Sequence, residues 1–177
     1  MFHGAITALV TPFNKDGSLD KKAFQNLVEW QISEGINGLL ACGSTGETPT
    51  ITFEERKQIV KLCLDTANKK VPIMVGTGSN CTRTTIEYTQ SAKDLGADAA
   101  LIVAPYYNKP TQEGLYQHYK AVSDSVDIPM YVYNIPGRSV VNISDETLAR
   151  ISELKNIKGL KDSTGTADRV MPLKKLL

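Results

Sequence analysis

The chain has 177 residues, 41% of them hydrophobic and 22% charged, with a formal net charge of +1. That length suffices for one domain with a sizeable core. The near-neutral balance offers no field to gather nucleic acid or an anionic membrane. The basic pair Lys69-Lys70 reads as the solvated end of a helix. Three cysteines, Cys42, Cys63 and Cys81, form no CxxC or Cys/His cluster. An odd count without such spacing argues against a disulfide framework or a zinc site. Cys42, set in an apolar strand, reads as a small buried hydrophobe. His3 and His118 have no metal-spaced neighbour and read as structural or surface residues. No apolar run approaches the roughly 20 residues of a membrane span, and the N-terminus lacks a charged-then-apolar leader pattern. The expectation is a cytoplasmic chain.

Strands and helices are predicted to alternate. A first strand over 4–9 is followed by a helix over 19–34, with Ala23, Leu27, Trp30, Gln31 and Glu34 at near-helical spacing and Ser18 or Asp20 as cap. A strand over 38–42 precedes a helix over 52–69, whose Thr52-Phe53-Glu54-Glu55 start has capping-box spacing. Strand 72–76 leads to helix 82–95, strand 99–104 to helix 112–125, and strand 129–134 to helix 144–153. A sixth strand over 157–161 ends at Lys161, and a helix is expected to begin near Thr166.

The strands are short and apolar nearly throughout, as in a parallel sheet covered by helices. A weak internal repeat supports this. Glu34-Gly35-Ile36-Asn37-Gly38 echoes Leu95-Gly96-Ala97-Asp98-Ala99, each with a glycine closing a helix before a strand. The loops after strands are glycine-rich and polar, as where a (β/α) barrel builds its site. Six βα units fall short of an eight-stranded barrel, which takes about 250 residues. A doubly wound dinucleotide fold gains no support, because no GxGxxG follows the first strand.

Lys161 carries the most chemistry. It closes an apolar strand, where barrels mount catalytic groups. A partly desolvated ammonium there gives up its proton more readily, and the free amine can attack a carbonyl. Gly43-Ser44-Thr45-Gly46-Glu47 follows the second strand, and its glycines let backbone N–H groups turn toward an anion. Pro105-Tyr106-Tyr107-Asn108 follows the fourth. The fifth ends Tyr131-Val132-Tyr133-Asn134-Ile135-Pro136-Gly137-Arg138, where alternation puts Tyr131 and Tyr133 on one face.

Together, GSTGE at 43–47, PYYNKP at 105–110, YNIPGR at 133–138 and GLKDSTG at 159–165 resemble the dihydrodipicolinate synthase / N-acetylneuraminate lyase family of pyruvate-dependent class I aldolases. The resemblance runs over the whole chain. It implies an α/β fold, a (β/α)8 TIM barrel with a helical C-terminal extension, of which about six βα units are present in residues 1–177. It implies that Lys161 forms a Schiff base with pyruvate, with Tyr133 relaying protons. Ser44 is implied in a hydroxyl relay between Tyr133 and Tyr107, the latter reaching a neighbouring subunit's site. Thr45 and nearby backbone N–H groups are implied to hold the pyruvate carboxylate. Arg138 is implied to pair with the second substrate's carboxylate, and no metal or organic cofactor is required. In full-length form the family resemblance implies a homo-oligomer, a dimer of dimers.

Arg138-Ser139 and PYYN resemble the branch that condenses pyruvate with L-aspartate 4-semialdehyde. Ser44, where many of those enzymes have threonine, points toward the sialic-acid lyases, the alternative branch. A serine hydroxyl still donates and accepts as threonine does. Asn80 and Tyr106 match the site at which lysine inhibits many members. Phe53 and Arg56 replace histidines there and Thr84 replaces an acidic residue, so weak or absent inhibition is expected. The sequence stops within the expected sixth helix, so the expectation is a C-terminally truncated barrel, with an inactive fragment or assembly partner as the other alternative.

Overall fold

Alternating strands and helices fill the computed structural model, which describes residues 2–176. The order is β1 (Ile6–Ala8), α1 (Lys21–Ser33), β2 (Gly38–Ala41), α2 (Phe53–Ala67), β3 (Ile73–Gly76), α3 (Thr82–Leu95) and β4 (Ala99–Val103). It continues with α4 (Gln112–Ser125), β5 (Met130–Asn134), α5 (Pro136–Ser139), α6 (Asp145–Ser152), β6 (Ile157–Asp162) and α7 (Val170–Leu176). The six strands follow one another in sheet order β1-β2-β3-β4-β5-β6. The chain divides into two compact units, Met1–Gly76 with Ser91–Ala100, and Thr77–Gln90 with Leu101–Leu177.

In the first unit, β1 pairs with β2 and β2 with β3, all parallel, with Leu39 opposite Ile73 and Ala41 opposite Val75. Every residue of β2 and β3 is buried, so both faces are covered, as parallel strands require. Leu39, Ala41, Ile73 and Val75 share a core with Phe24, Val28, Ile59, Val60 and Cys63 of α1 and α2. Alternation sends Leu40 and Met74 to the opposite face. The buried stripe of α1 is thus Phe24 and Val28, whereas Trp30, placed on the apolar spacing by sequence, is 56% exposed.

Helix caps are largely where the sequence puts them. The Asp20 carboxylate accepts from the Ala23 N–H at 2.9 Å. Thr52 and Glu55 close a capping box, which holds the Glu55 carboxyl below its ordinary range. The repeat is real in geometry. Gly35 and Gly96 both adopt left-handed φ, and Ile36 N–H donates to Gln31 and Ala97 N–H to Ala92, closing two Schellman turns. The next residue then latches a strand start. Asn37 Oδ1 accepts from the Ala5 N–H, and Asp98 Oδ2 accepts from the Ile73 N–H.

Three local departures have physical causes. Cys42 lies just past β2 with φ 54°, not within the strand. It is buried nonetheless, and burial pushes its thiol up to about 11 against the opposing Arg56 charge. Lys69-Lys70 lies beyond α2, because Asn68 and Lys69 both turn left-handed. The helix expected from Thr166 starts at Val170, because Thr166 and Asp168 bond each other locally and compete with a helical start.

In the second unit, β5 and β6 pair in parallel and α6 packs against both α4 and β6. Tyr119 is fully buried and its hydroxyl donates to the Ile102 carbonyl at 3.0 Å. Beside β6, Val132, Leu148, Ile151, Ile157 and Leu160 line an apolar groove of about 400 Å³. His118 is buried, with Nδ1 2.9 Å from the Thr82 hydroxyl and its ring edge-on to Tyr119. Among the described residues, no helix is long and apolar enough to cross a membrane.

Two predictions follow from these packing details. Val140 holds φ 61° at the end of α5 while 65% exposed. A β-branched side chain in that region is strained. Val140→Gly is expected to raise unfolding free energy by about 1 kcal/mol, because relief exceeds glycine's added chain entropy; urea denaturation checks this. Burial lowers the His118 pKa from 6.5 to about 4. Between those values the unfolded chain takes up a proton that the folded one refuses, so stability falls as pH falls through that window. The full effect is on the order of 3 kcal/mol. Urea midpoints of the parent and His118→Gln, compared at pH 7 and pH 4.5, are expected to show a shallower loss in the variant.

Candidate active site

The GSTGE loop of the first unit is built by turning the chain sharply after a buried strand. Cys42 turns left-handed, Gly43 is extended, and Ser44–Gly46 forms a single 3-10 turn. Glu47, at φ 59°, ends that turn and opens a second one over Thr48–Thr50. Ser44 is half-buried and Thr45 exposed. The Thr11 hydroxyl donates to the Gly46 carbonyl at 2.8 Å in a buried contact. Arg56, itself buried, donates from Nη1 to the Gly76 carbonyl at 2.6 Å and from Nη2 to the Thr48 hydroxyl at 2.5 Å. Gly76 must be glycine, because a Cβ there would stand 2.1 Å from the Cys42 carbonyl oxygen.

The second unit holds the lysine. Parallel register sets Tyr133 opposite Lys161 and Asn134 opposite Asp162, after an irregularity between Met130 and Tyr131. Register partners project to the same face, so the Lys161 Nζ lies 4.3 Å from the centre of the Tyr133 ring. Tyr133 is buried and Lys161 half-buried. Gly159 is opposite Tyr131, whose ring would be 2.8 Å from any Cβ placed there.

The alternate face carries a network that sequence reasoning did not single out. Asn134 is fully buried, and its amide nitrogen donates to Asp162 Oδ1 at 2.9 Å and Asn142 Oδ1 at 2.8 Å. Its amide oxygen accepts from the Ile143 N–H, and its backbone carbonyl accepts from Ser163. Arg169 donates to Asp145 from Nε and Nη2, at 2.8 and 2.5 Å, and to the Ile143 carbonyl. The third guanidinium nitrogen, Nη1, lies 3.6 Å from Asp162. The available signal was the polar residue directly after each of Tyr133 and Lys161, which strand alternation turns to the opposite face. Arg169 had no local signal.

Of the residues singled out by sequence, the structure brings Tyr133 and Lys161 into contact. Tyr107 is 86% exposed and holds φ 73°, in a loop where the Asn108 amide donates to the Asn80 carbonyl. Arg138 is exposed on α5, with Pro136 at the helix start where a missing N–H does no harm. Ser44 and Thr45 stand on the 3-10 turn of the first unit. Among the described residues, no group of three or more His, Cys, Asp or Glu side chains is placed to share a metal ion.

Parallel strands alternating with helices, with a lysine on the last strand laid against a strand-borne tyrosine, are the building units of the (β/α)8 TIM class, six of which are present here. The model of the dihydrodipicolinate synthetase family matches residues 1–177, and the chain belongs to that family. It is 56% identical over 171 residues to the 4-hydroxy-tetrahydrodipicolinate synthase of Chelativorans sp. (strain BNC1), covering 96% of this chain and 58% of the relative. It is 55% identical over 174 residues to the enzyme of that name from Rhodospirillum centenum, covering 98% of this chain and 59% of the relative. The dihydrodipicolinate synthase from Acinetobacter baumannii, solved in complex with pyruvate, superposes with a TM-score of 0.97 at 52% identity. That match covers 99% of this chain and 60% of the solved one. The chain thus spans a little under three-fifths of the length of these curated relatives.

The Asn134 network gives a test. Asn134→Ala deletes its amide contacts and leaves Asp162 and the Ile143 N–H short of partners. The expected loss is about 2–3 kcal/mol of unfolding free energy, read by urea denaturation, against a negligible change for Asn108→Ala in its exposed loop.

Proposed function

We propose that this chain carries the Schiff-base chemistry of a synthase condensing pyruvate with L-aspartate 4-semialdehyde to give 4-hydroxy-tetrahydrodipicolinate, in the diaminopimelate route to lysine. The observation that supports it is the Lys161 amine over the Tyr133 ring, at paired positions near the ends of two parallel strands. Names shared with relatives at 55–56% identity support the substrate pair.

In this reading Lys161, as the free amine, adds to the C2 carbonyl of pyruvate, and loss of one water leaves an imine. The protonated imine accepts the electron pair released when a methyl C–H breaks, giving an enamine. The enamine carbon bonds to the aldehyde carbon of the semialdehyde, whose oxygen takes up a proton and becomes a hydroxyl. The semialdehyde's amino nitrogen then bonds to the former carbonyl carbon, and the bond to Lys161 breaks. The ring closes and the lysine amine is regenerated. Tyr133 passes protons to and from the imine. Ser44 and Tyr107 serve as further relay hydroxyls, Tyr107 toward a neighbouring subunit. Thr45 and adjacent N–H groups hold the pyruvate carboxylate. Arg138, an exposed fork of donors, grips the carboxylate of the second substrate. The chemistry runs on the lysine without a metal or organic cofactor, in a cytoplasmic homo-oligomer arranged as a dimer of dimers. Residues 1–177 belong to one catalytic domain.

Lysine is proposed to inhibit weakly or not at all. Arg56 is buried on Gly76 and Thr48, with Phe53 and Thr84 in place of a histidine and an acidic residue. An effector ammonium would lack its charge partner there.

The test supplies the chain with both substrates and follows their consumption by proton NMR. Joint consumption by the parent, and none with Lys161→Ala, is expected. Turnover of a sialic acid instead would favour the lyase branch. No turnover by the parent under any condition would contradict the proposal. Inhibition by micromolar lysine would contradict the regulatory part.

A further inference from the structure

We infer that Arg56 is a positioning residue that holds the Ser44–Gly46 turn in the geometry needed to bind pyruvate; this rests on the proposed role of that turn in gripping the substrate carboxylate. A buried guanidinium is costly unless its donors are used. Arg56 is 4% exposed and uses two donor nitrogens at once, Nη1 on the Gly76 carbonyl and Nη2 on the Thr48 hydroxyl. Thr48 lies three residues beyond Thr45, across one left-handed residue, Glu47. The Thr50 N–H and hydroxyl both donate to the Glu47 carbonyl, so a pull on Thr48 passes to Glu47 with little slack.

The other half of the clamp is equally tight. Gly76 ends β3, and any Cβ on it would strike the Cys42 carbonyl at 2.1 Å and approach Gly43 Cα to 3.2 Å. Arg56 therefore ties the residue packed under the entry of the loop to the residue at its exit. Thr11 fixes the middle through the Gly46 carbonyl, where a Cβ on Gly46 would sit 3.0 Å from the Leu9 carbonyl. With both ends and the middle held, the exposed Thr45 and half-buried Ser44 are presented on a turn that has no room to shift. An oriented anion-binding loop loses affinity quickly when its donors move. Removing Arg56 should thus weaken pyruvate binding while leaving the lysine chemistry intact.

The experiment uses the full chain and four variants: Arg56→Met, Arg56→Lys, Thr48→Val and Lys161→Ala. One readout is the pyruvate concentration that half-saturates borohydride-trapped adduct at Lys161, together with the plateau. The other is hydrogen exchange of the amides at 43–48 against the rest of the chain. In Arg56→Met the half-saturating concentration is expected to rise on the order of tenfold with the plateau retained. Exchange should quicken at 43–48 alone. Thr48→Val should fall between, and Arg56→Lys or added guanidinium should recover part of the loss. Parent-like half-saturation and exchange in Arg56→Met would overturn the inference, and so would a uniform rise in exchange over the whole chain. If Arg56→Met does not fold, Thr48→Val carries both readouts with the same outcomes. If the parent itself traps no pyruvate, the proposed chemistry fails separately. Exchange at 43–48 then decides the clamp, with quickening in support and no change against it.

Discussion

The register between β5 and β6 is the constraint on which the candidate chemistry depends. It fixes two pairs at once. Tyr133 meets Lys161 on one face, and Asn134 meets Asp162 on the other. A slip of one residue would exchange the faces, burying the charge network against the tyrosine side and turning the lysine away. The Asn134–Asp162 hydrogen bond and the Arg169 contacts behind it therefore secure more than stability. They make any slip leave buried polar groups without partners, which is a strong penalty. Gly159 adds a steric condition, since the Tyr131 ring occupies the place of a side chain there.

The first unit uses a different device for the same end. Its loop after β2 lies outside regular structure, and short turns alone would leave it mobile. Close backbone packing at Gly46 and Gly76, the Thr11 hydroxyl and the buried Arg56 remove that freedom. In both units the candidate residues are few. Tyr133 is backed by the buried Asn134, and the Ser44–Gly46 turn by the buried Thr11 contact, the arrangement that keeps a site pre-organised.

Much of this was legible in the sequence. The short apolar strands, the capping box at Thr52 and the repeated helix-closing glycines, Gly35 and Gly96, all follow from local chemistry, and the structure has them. Lys161 and Tyr133 were legible because each lies at the last-but-one position of a short strand, where side-chain alternation is strict. The supporting residues were not. Arg169 and Asp145 are 24 residues apart, Arg56 and Gly76 20 apart, and nothing local marks either pair. The left-handed turn at Cys42 was also hidden, because its apolar neighbours extend the strand pattern past the true end. Trp30 misled for the opposite reason, as a large apolar residue at helical spacing that faces away from the core.

The measurement that bears most directly on the register is a lysine-by-lysine map of pyruvate capture. The chain would be treated with pyruvate and borohydride, digested, and every lysine peptide quantified by mass. If β5 and β6 pair as described, adduct concentrates at Lys161, and the far more exposed Lys69 and Lys70 carry almost none. Adduct spread over the lysines according to their exposure, with Lys161 no different from the rest, would contradict the account.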